Sequence, residues 1–276
     1  MLKIGSCTIL YNPNEEVIGN LKTYIKQVDV SVVIDNSDKH GSISEKIKEI
    51  PGLYYIDMEG NQGIATALNH GFKFLQQHRV DYVLTMDQDS RFPTEQYNDI
   101  LKLVEKFGNQ YSIVGLNFNF KTESYNQEIV EVPYWLTSGN FVNINDYFDV
   151  GGFDEKLFID YVDIEFGYKL YRHNLKICYL KSYSLEHEIG HPIPINILGK
   201  TYYAMNHTAI RYYYRYRNAF YLFMQDKNFF KKEFLKEMLV NIPKMLLYET
   251  DKKRKMQMIC KAFKDARLNK MGKYEK

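Results

Sequence analysis

The stretch DYVLTMDQDSRF, residues 81–92, runs an apolar segment, Tyr82-Val83-Leu84, into two carboxylates one residue apart, Asp87 and Asp89, followed by Ser90 and Arg91. A short apolar run bounded by polar residues reads as a buried strand. The charges then stand at its carboxyl end, and two readings are open. Asp87 and Ser90 are turn formers, whose short side chains hydrogen-bond nearby backbone at strand exits. Alternatively, the pair holds a divalent cation. Oxygen donors suit Mg²⁺ or Mn²⁺, and like charges at this spacing repel unless a cation lies between them.

The flanking sequence gives the strand its setting. KIGSCTIL (3–10), VSVVID (30–35), LYYIDM (53–58) and YSIVGL (111–116) read as further strands. Helical periodicity fills the intervals. In the first helix Asn12 is the expected cap and Pro13 the first position; NQGIATALNHGFKFLQQH (61–78) is the second; the third (94–108) is capped by Thr94 and stopped by Gly108. Strands alternating with helices predict an α/β, Rossmann-like fold, a mostly parallel sheet flanked by helices. Such sheets bind ligands at strand carboxyl ends, where Asp35 and Asp87 both fall.

After residue 117 the pattern changes. A loop (117–134) leads to WLTSGNFVNI (135–144), a strand interrupted at Ser138-Gly139. Residues 149–174 read as a turn, a short extended piece and a helix, and LKICYL and SYSLEHEI as short strands. From about residue 200 the chain is expected to be helical, basic and rich in tyrosine. The expected division is 1–200 for the ligand-binding and catalytic domain and 201–276 for a helical appendage.

Charge supports that division. Residues 201–276 carry 18 Lys+Arg against 7 Asp+Glu, whereas residues 1–200 carry 18 against 27. A basic segment on an acidic body points to an anionic partner: nucleic acid, an anionic bilayer or a phosphate-bearing substrate. Cys7, Cys178 and Cys260 lie too far apart for a disulfide framework or a zinc site, which favours a reducing compartment. MLKIGSCTIL is too short for a signal peptide, and no stretch reaches transmembrane length, so a cytoplasmic placement is expected.

Several motifs in order, TILYNPN, VVIDNSD, NQGIATALNHGF, TMDQDS, TSGNFVNI, VGGFDEKLFIDYVDIEFGYKLYRHN and RYYYRYRN, resemble a family 2 glycosyltransferase. DQDS and FIDYVDIEF resemble its rhamnosyltransferase branch in particular. The resemblance runs from about residue 4 to the C-terminus. It implies a GT-A fold, a dTDP- or UDP-linked sugar donor, Mg²⁺ or Mn²⁺, inverting transfer to a saccharide or lipid-linked acceptor, and no nucleic-acid partner.

The resemblance also implies roles. Asp87-Gln88-Asp89 matches the D-x-D motif, with Asp87 on the ribose or metal and Asp89 on the metal that bridges the diphosphate. Asp35 matches the acid that reads the base, which accepts the imide N–H of uracil or thymine. Tyr11, beside Asn12, either stacks on that base or is a half-buried tyrosine at a helix start. Asn61 and Gly63 sit in an NQG turn that lets backbone approach the donor closely. Asn69 and Gly71 are donor contacts or simply a polar helix position and a packing glycine. Ser138 and Gly139 fall in the TSGN motif, on the donor side. For the general base, Asp163 matches, with Asp160 a rival because Val162 stands where many members carry Glu. Asp163 also suits a helix cap, and Glu165 is a third acid in the same run. His187 is a metal ligand, a phosphate contact or a structural residue, and His191 is weaker. Arg211 and Arg217 neutralise the diphosphate, bind an anionic acceptor, or lie on a basic helix face.

Two other readings stay open. D-x-D-S after a strand also suits a haloacid-dehalogenase-like phosphatase, although that fold usually places the motif near its N-terminus. A non-catalytic nucleotide-sugar binding module would keep the fold without turnover. The segment 229–249, which interleaves Lys with apolar residues, is expected either to lie on an anionic bilayer or to pack on the catalytic domain or a second subunit. Pro243 is expected to kink or break it.

Overall fold

The computed structural model describes residues 2–118, 128–187, 193–197, 200–204 and 206–275. The chain divides into two compact units, Met1–Glu155 with Val162–Glu188, and Lys156–Tyr161 with Ile189–Lys276.

The first unit opens with β1 (Ile4–Leu10), α1 (Glu16–Leu21), β2 (Val30–Asp35), α2 (Ser42–Lys48), β3 (Leu53–Asp57), α3 (Ile64–Gln77) and β4 (Tyr82–Asp87). It continues with β5 (Ser90–Arg91), α4 (Tyr97–Phe107), β6 (Ile113–Asn117), β7 (Ile129–Val132), β8 (Asn140–Asn143), α5 (Ile144–Asp149), α6 (Val162–Arg172), β9 (Ile177–Ser184) and β10 (Glu186–His187). The main sheet runs β3-β2-β1-β4-β8-β6-β9-β7. The expected α/β architecture is present. Strands β1 to β4 are mutually parallel, so their carboxyl ends share one edge. Leu10, Val33, Leu84, Val114 and Phe141 are buried in one core. Strands covered on both faces lose the alternating pattern and read as near-continuous apolar runs. α3 packs tightly on β1: a Cβ on Gly71 would lie 2.2 Å from Cys7 Sγ, so Gly71 is the packing glycine of the two readings.

Several local expectations are corrected. The 135–144 strand shrinks to β8, which inserts antiparallel between β4 and β6. The 117–134 loop contains β7 at the sheet edge; residues 119–127 lie outside the described part. Asn12 does not cap α1. It has a left-handed φ of 48°, and its N–H donates to Ser37 Oγ instead. Thr94 opens a 3-10 turn before α4, and its hydroxyl donates to the Thr23 carbonyl.

The second unit holds β11 (Ile193–Ile197), β12 (Lys200–Ala204), α7 (Ala209–Gln225), α8 (Lys227–Lys236), a π-helical turn over Glu237–Asn241, α9 (Ile242–Tyr248) and α10 (Lys252–Arg267). Helix therefore begins at Ala209 rather than near 200, because β11 and β12 form an antiparallel hairpin first. Tyr213 and Tyr216 of α7 and Ile259 and Ala262 of α10 are buried together. Pro243 does not break the segment. The wider turn over Glu237–Asn241 carries the helix into α9, where a proline in the first turn needs no N–H partner. Among the described residues, no helix is long and apolar enough to cross a membrane.

Candidate functional site

The carboxyl ends of β1, β2 and β4 bring together Tyr11, Asn12, Asp35 and Asp87-Gln88-Asp89. The loop carrying the two acids is firmly held. The Asp87 N–H donates to Ser138 Oγ at 2.9 Å, and that hydroxyl donates to Ser90 Oγ at 2.9 Å. Ser138 is 1% exposed, so it positions the D-x-D segment from beneath. Gly139 continues the support: its N–H reaches the Thr85 carbonyl at 2.7 Å, and its φ is +74°.

Gln88 explains the middle letter of D-x-D. Its Oε1 accepts the Tyr11 N–H at 2.9 Å, and its Nε2 donates to the Tyr11 carbonyl at 3.2 Å. Asn20 Nδ2 donates to the Gln88 carbonyl at 2.9 Å. One amide thus ties the end of β4 to the end of β1 and leaves Tyr11 45% exposed beside it. Asp87 is half-buried and Asp89 exposed.

Asp35 is enclosed. Its carboxylate accepts the Ser37 N–H at 3.0 Å, Ser44 Oγ at 2.8 Å and the Tyr55 hydroxyl at 2.5 Å, and it is 0% exposed. Burial alone would raise its pKa, but the bonds from Ser37, Tyr55 and Ser44 outweigh burial and hold it below the usual carboxylate range. Asp57 pairs with Asp35 in register across β2 and β3. His40 joins the two acids, with Nδ1 at 3.2 Å from Asp35 and Nε2 at 3.0 Å from Asp57. Sequence reasoning missed Ser44, Tyr55, His40 and Asp57. The available signal was that neighbouring strands both end in Ile-Asp.

On the far side of β2, Asn61 Oδ1 accepts Asn36 Nδ2 and the Gly63 N–H. Gly63 has φ 91° and ψ 155°, a conformation that favours glycine, just before α3. Asn69 is corrected. Its Oδ1 accepts Tyr147 OH and the Phe153 N–H, and its Nδ2 donates to the Phe153 carbonyl and Glu155 Oε1. Three of the four interactions latch the 153–155 segment and the fourth ties the amide to Tyr147 of α5, so the amide has no capacity left for a donor.

Of the three acids in FIDYVDIEF, two belong to the first unit. Asp163 is half-buried on the first turn of α6, and its Oδ1 accepts the Ile164 N–H at 2.9 Å. Glu165 is 4% exposed, with Lys169 Nζ 3.3 Å from Oε1. Burial pushes its pKa up to about 7 despite Lys169.

Asp160 belongs to the second unit. Its carboxylate is held by Arg211, with Nη2 at 3.1 Å and Nε at 3.3 Å. Phe158, Asp160 and Tyr161 all have left-handed φ near 65°. Such strain needs surrounding structure to fix it, and Asn218 supplies part of that: its Nδ2 lies 2.8–2.9 Å from the carbonyls of Leu157, Ile159 and Asp160. Asn218, the last letter of RYYYRYRN, was not singled out from the sequence.

Arg217 is corrected on all three readings. It is 0% exposed, and its guanidinium donates to the carbonyls of Gly272, Lys156 and Leu157 and to Asn218 Oδ1. With its donors spent inside the fold it meets neither a diphosphate nor solvent. Arg211 remains partly exposed, at 44% for its side chain.

The backbone of β10 pairs His187 with Ser90, beside the D-x-D segment; its side chain and all of His191 lie outside the described residues. Among the described residues no group of three metal-ligating side chains assembles. Two carboxylates at a strand end still fit Mg²⁺ or Mn²⁺, which take hard oxygen donors and commonly keep water and substrate phosphate as remaining ligands.

Comparison with known proteins agrees with this geometry. The model of glycosyl transferase family 2 matches residues 7–154. A dTDP-rhamnosyl transferase, RfbF of Shigella flexneri, is 26% identical over 241 residues, covering 81% of this chain and 80% of that protein. Among solved structures, S. aureus TarS 1–349 in complex with UDP-GlcNAc matches with a TM-score of 0.61 at 17% identity, over 98% of this chain and 88% of that one. GalNAc-T7 with UDP, GalNAc and Mn²⁺ matches with a TM-score of 0.60 at 14% identity, over 96% of this chain and 56% of that one, so the chain spans just over half of that structure. The expected GT-A architecture is present, and nothing in the comparisons supports a phosphatase. The chain belongs to glycosyl transferase family 2, and its D-x-D segment is part of a glycosyltransferase fold.

Proposed function

We propose that the protein is a metal-dependent, inverting rhamnosyltransferase. It takes a dTDP- or UDP-linked sugar and extends a saccharide or lipid-linked saccharide in cell-surface polysaccharide synthesis. The observation that carries this reading is the braced strand end: the Asp87 N–H is held by Ser138, and Gln88 is tied to Tyr11 and Asn20, with Asp89 exposed next to it. Similarity to a dTDP-rhamnosyl transferase supports the choice of sugar.

Asp87 and Asp89 would hold Mg²⁺ or Mn²⁺, which would supply positive charge to neutralise the departing diphosphate. Tyr11, steadied by Gln88, offers a ring face to the base. Asp163 accepts the proton of the acceptor hydroxyl while its oxygen bonds to the anomeric carbon and the bond to the diphosphate breaks on the opposite face. One displacement inverts the configuration. Asp163 is preferred to Asp160 because the Asp160 carboxylate is committed to Arg211. Arg211 then acts in fixing Asp160 rather than as a diphosphate ligand.

The test is a donor screen with Mn²⁺ and a saccharide acceptor. Nucleoside diphosphate release is followed, with mass spectrometry and NMR of the product. Turnover with dTDP-rhamnose and an inverted anomer supports the reading. Phosphate release from a phosphomonoester, or donor binding without turnover, overturns it.

A further inference from the structure

We propose that the outer face of α8 and α9 in the second unit is a contact surface for an anionic lipid bilayer. The inner face of this segment buries Phe230, Glu237 and Met245. An amphipathic helix packed on a protein should then present polar residues outward. This one exposes Leu235 at 41%, Leu239 at 69%, Val240 at 43%, Leu246 at 42% and Leu247 at 66%. The continuous passage through the π-helical turn and Pro243 places these residues along one element. Leu246 also borders an apolar groove with Met256, Cys260, Lys252 and Lys253, so the apolar surface extends onto α10.

The lysines decide between a bilayer and a second copy of the chain. Lys231, Lys232, Lys236 and Lys244 lie in the same segment as the exposed leucines. A two-fold dimer sets a patch against itself and would bring these lysines together. Anionic headgroups neutralise them while the leucines enter the acyl boundary. This surface goes beyond sugar transfer and does not rest on the donor or the base.

The experiment is co-sedimentation of the full chain with phosphatidylglycerol–phosphatidylcholine vesicles and with pure phosphatidylcholine vesicles, without donor. Binding is expected only to the anionic vesicles and falls as salt rises. The double variant Leu239→Ser/Leu247→Ser loses binding by about tenfold or more. Leu247→Ser alone loses a smaller share, and it stands in if the double variant misfolds. Lys231→Gln/Lys236→Gln weakens binding severalfold and flattens the salt dependence. Turnover on a soluble acceptor, read separately, is unchanged in all three, so failure of the transferase reading is distinguishable. Equal binding to neutral vesicles, no binding to anionic ones, or wild-type binding by the leucine variants overturns the proposal. So does a monomer–dimer equilibrium that the leucine variants abolish without any vesicle binding.

Discussion

The carboxyl ends of β2 and β4 carry similar sequences, DNSD and DQDS, and the fold treats them in opposite ways. Asp35 is fully enclosed and takes hydrogen bonds from Ser37, Ser44 and Tyr55. Asp89 is exposed on a loop whose anchoring falls to its neighbours Gln88, Asp87 and Ser90. The contrast teaches that an acid at a strand end acquires its role from what surrounds it. Next to β2 stands β3, with Tyr55 and Asp57 in register, and α2 supplies Ser44. Next to β4 stands β8, and the turn just before it supplies Ser138 to the backbone and leaves the outer carboxylate facing solvent.

The largest effect should come from the exposed end. Asp89→Ala should lower transfer by roughly a thousandfold, as expected when charge stabilisation of the leaving group is lost, with little change in thermal stability. Diphosphate release at saturating Mn²⁺ measures it, and near-normal turnover would remove Asp89 from the metal site. Asp163→Asn comes next, with kcat down by about a hundredfold or more and donor affinity nearly intact. If Asp160→Asn proves the inactive variant and Asp163→Asn the active one, the base is misassigned.

Glu165 extends the comparison to a buried acid without the strong donor set of Asp35. Its folded pKa is raised, from about 4.5 to about 7, by burial. Its neutral form is therefore the one the fold prefers, and its contribution is complete below pH 4.5 and lost as pH rises to about 7. Glu165→Gln should match wild type near pH 4 and exceed it at pH 8 by on the order of 3 kcal/mol. Denaturant unfolding at the two pH values checks this; a constant difference would count against it. The smallest effect belongs to Asp35→Asn. It should cost about 2 kcal/mol at neutral pH, because donors aimed at a carboxylate lose half of their acceptor. Asp35 has a depressed pKa, so its contribution is present above the ordinary carboxylate range and lost as pH falls through the folded value. The variant should therefore show a flatter acid limb of stability than wild type.

Much of the fold was legible in the chain itself. The alternation of apolar strands with amphipathic helices over residues 3–116 specified a mostly parallel sheet, because each element must bury one face and successive parallel strands need a helical crossover. The D-x-D segment and Asp35 were legible too, since acids directly after apolar runs must fall at strand ends. Tertiary structure alone decided which of those acids is enclosed. The residues that enclose Asp35 come from β3, α2 and the loop between β2 and α2, up to 20 residues away, and no local pattern records that meeting. The same holds for Arg211 and Arg217. Six residues apart on one helix, they read alike, yet one pairs with Asp160 at the surface and the other is buried among backbone carbonyls. Helical periodicity says that two faces exist. Only the packing of α7 against α10 and the 156–161 segment says which face is inside.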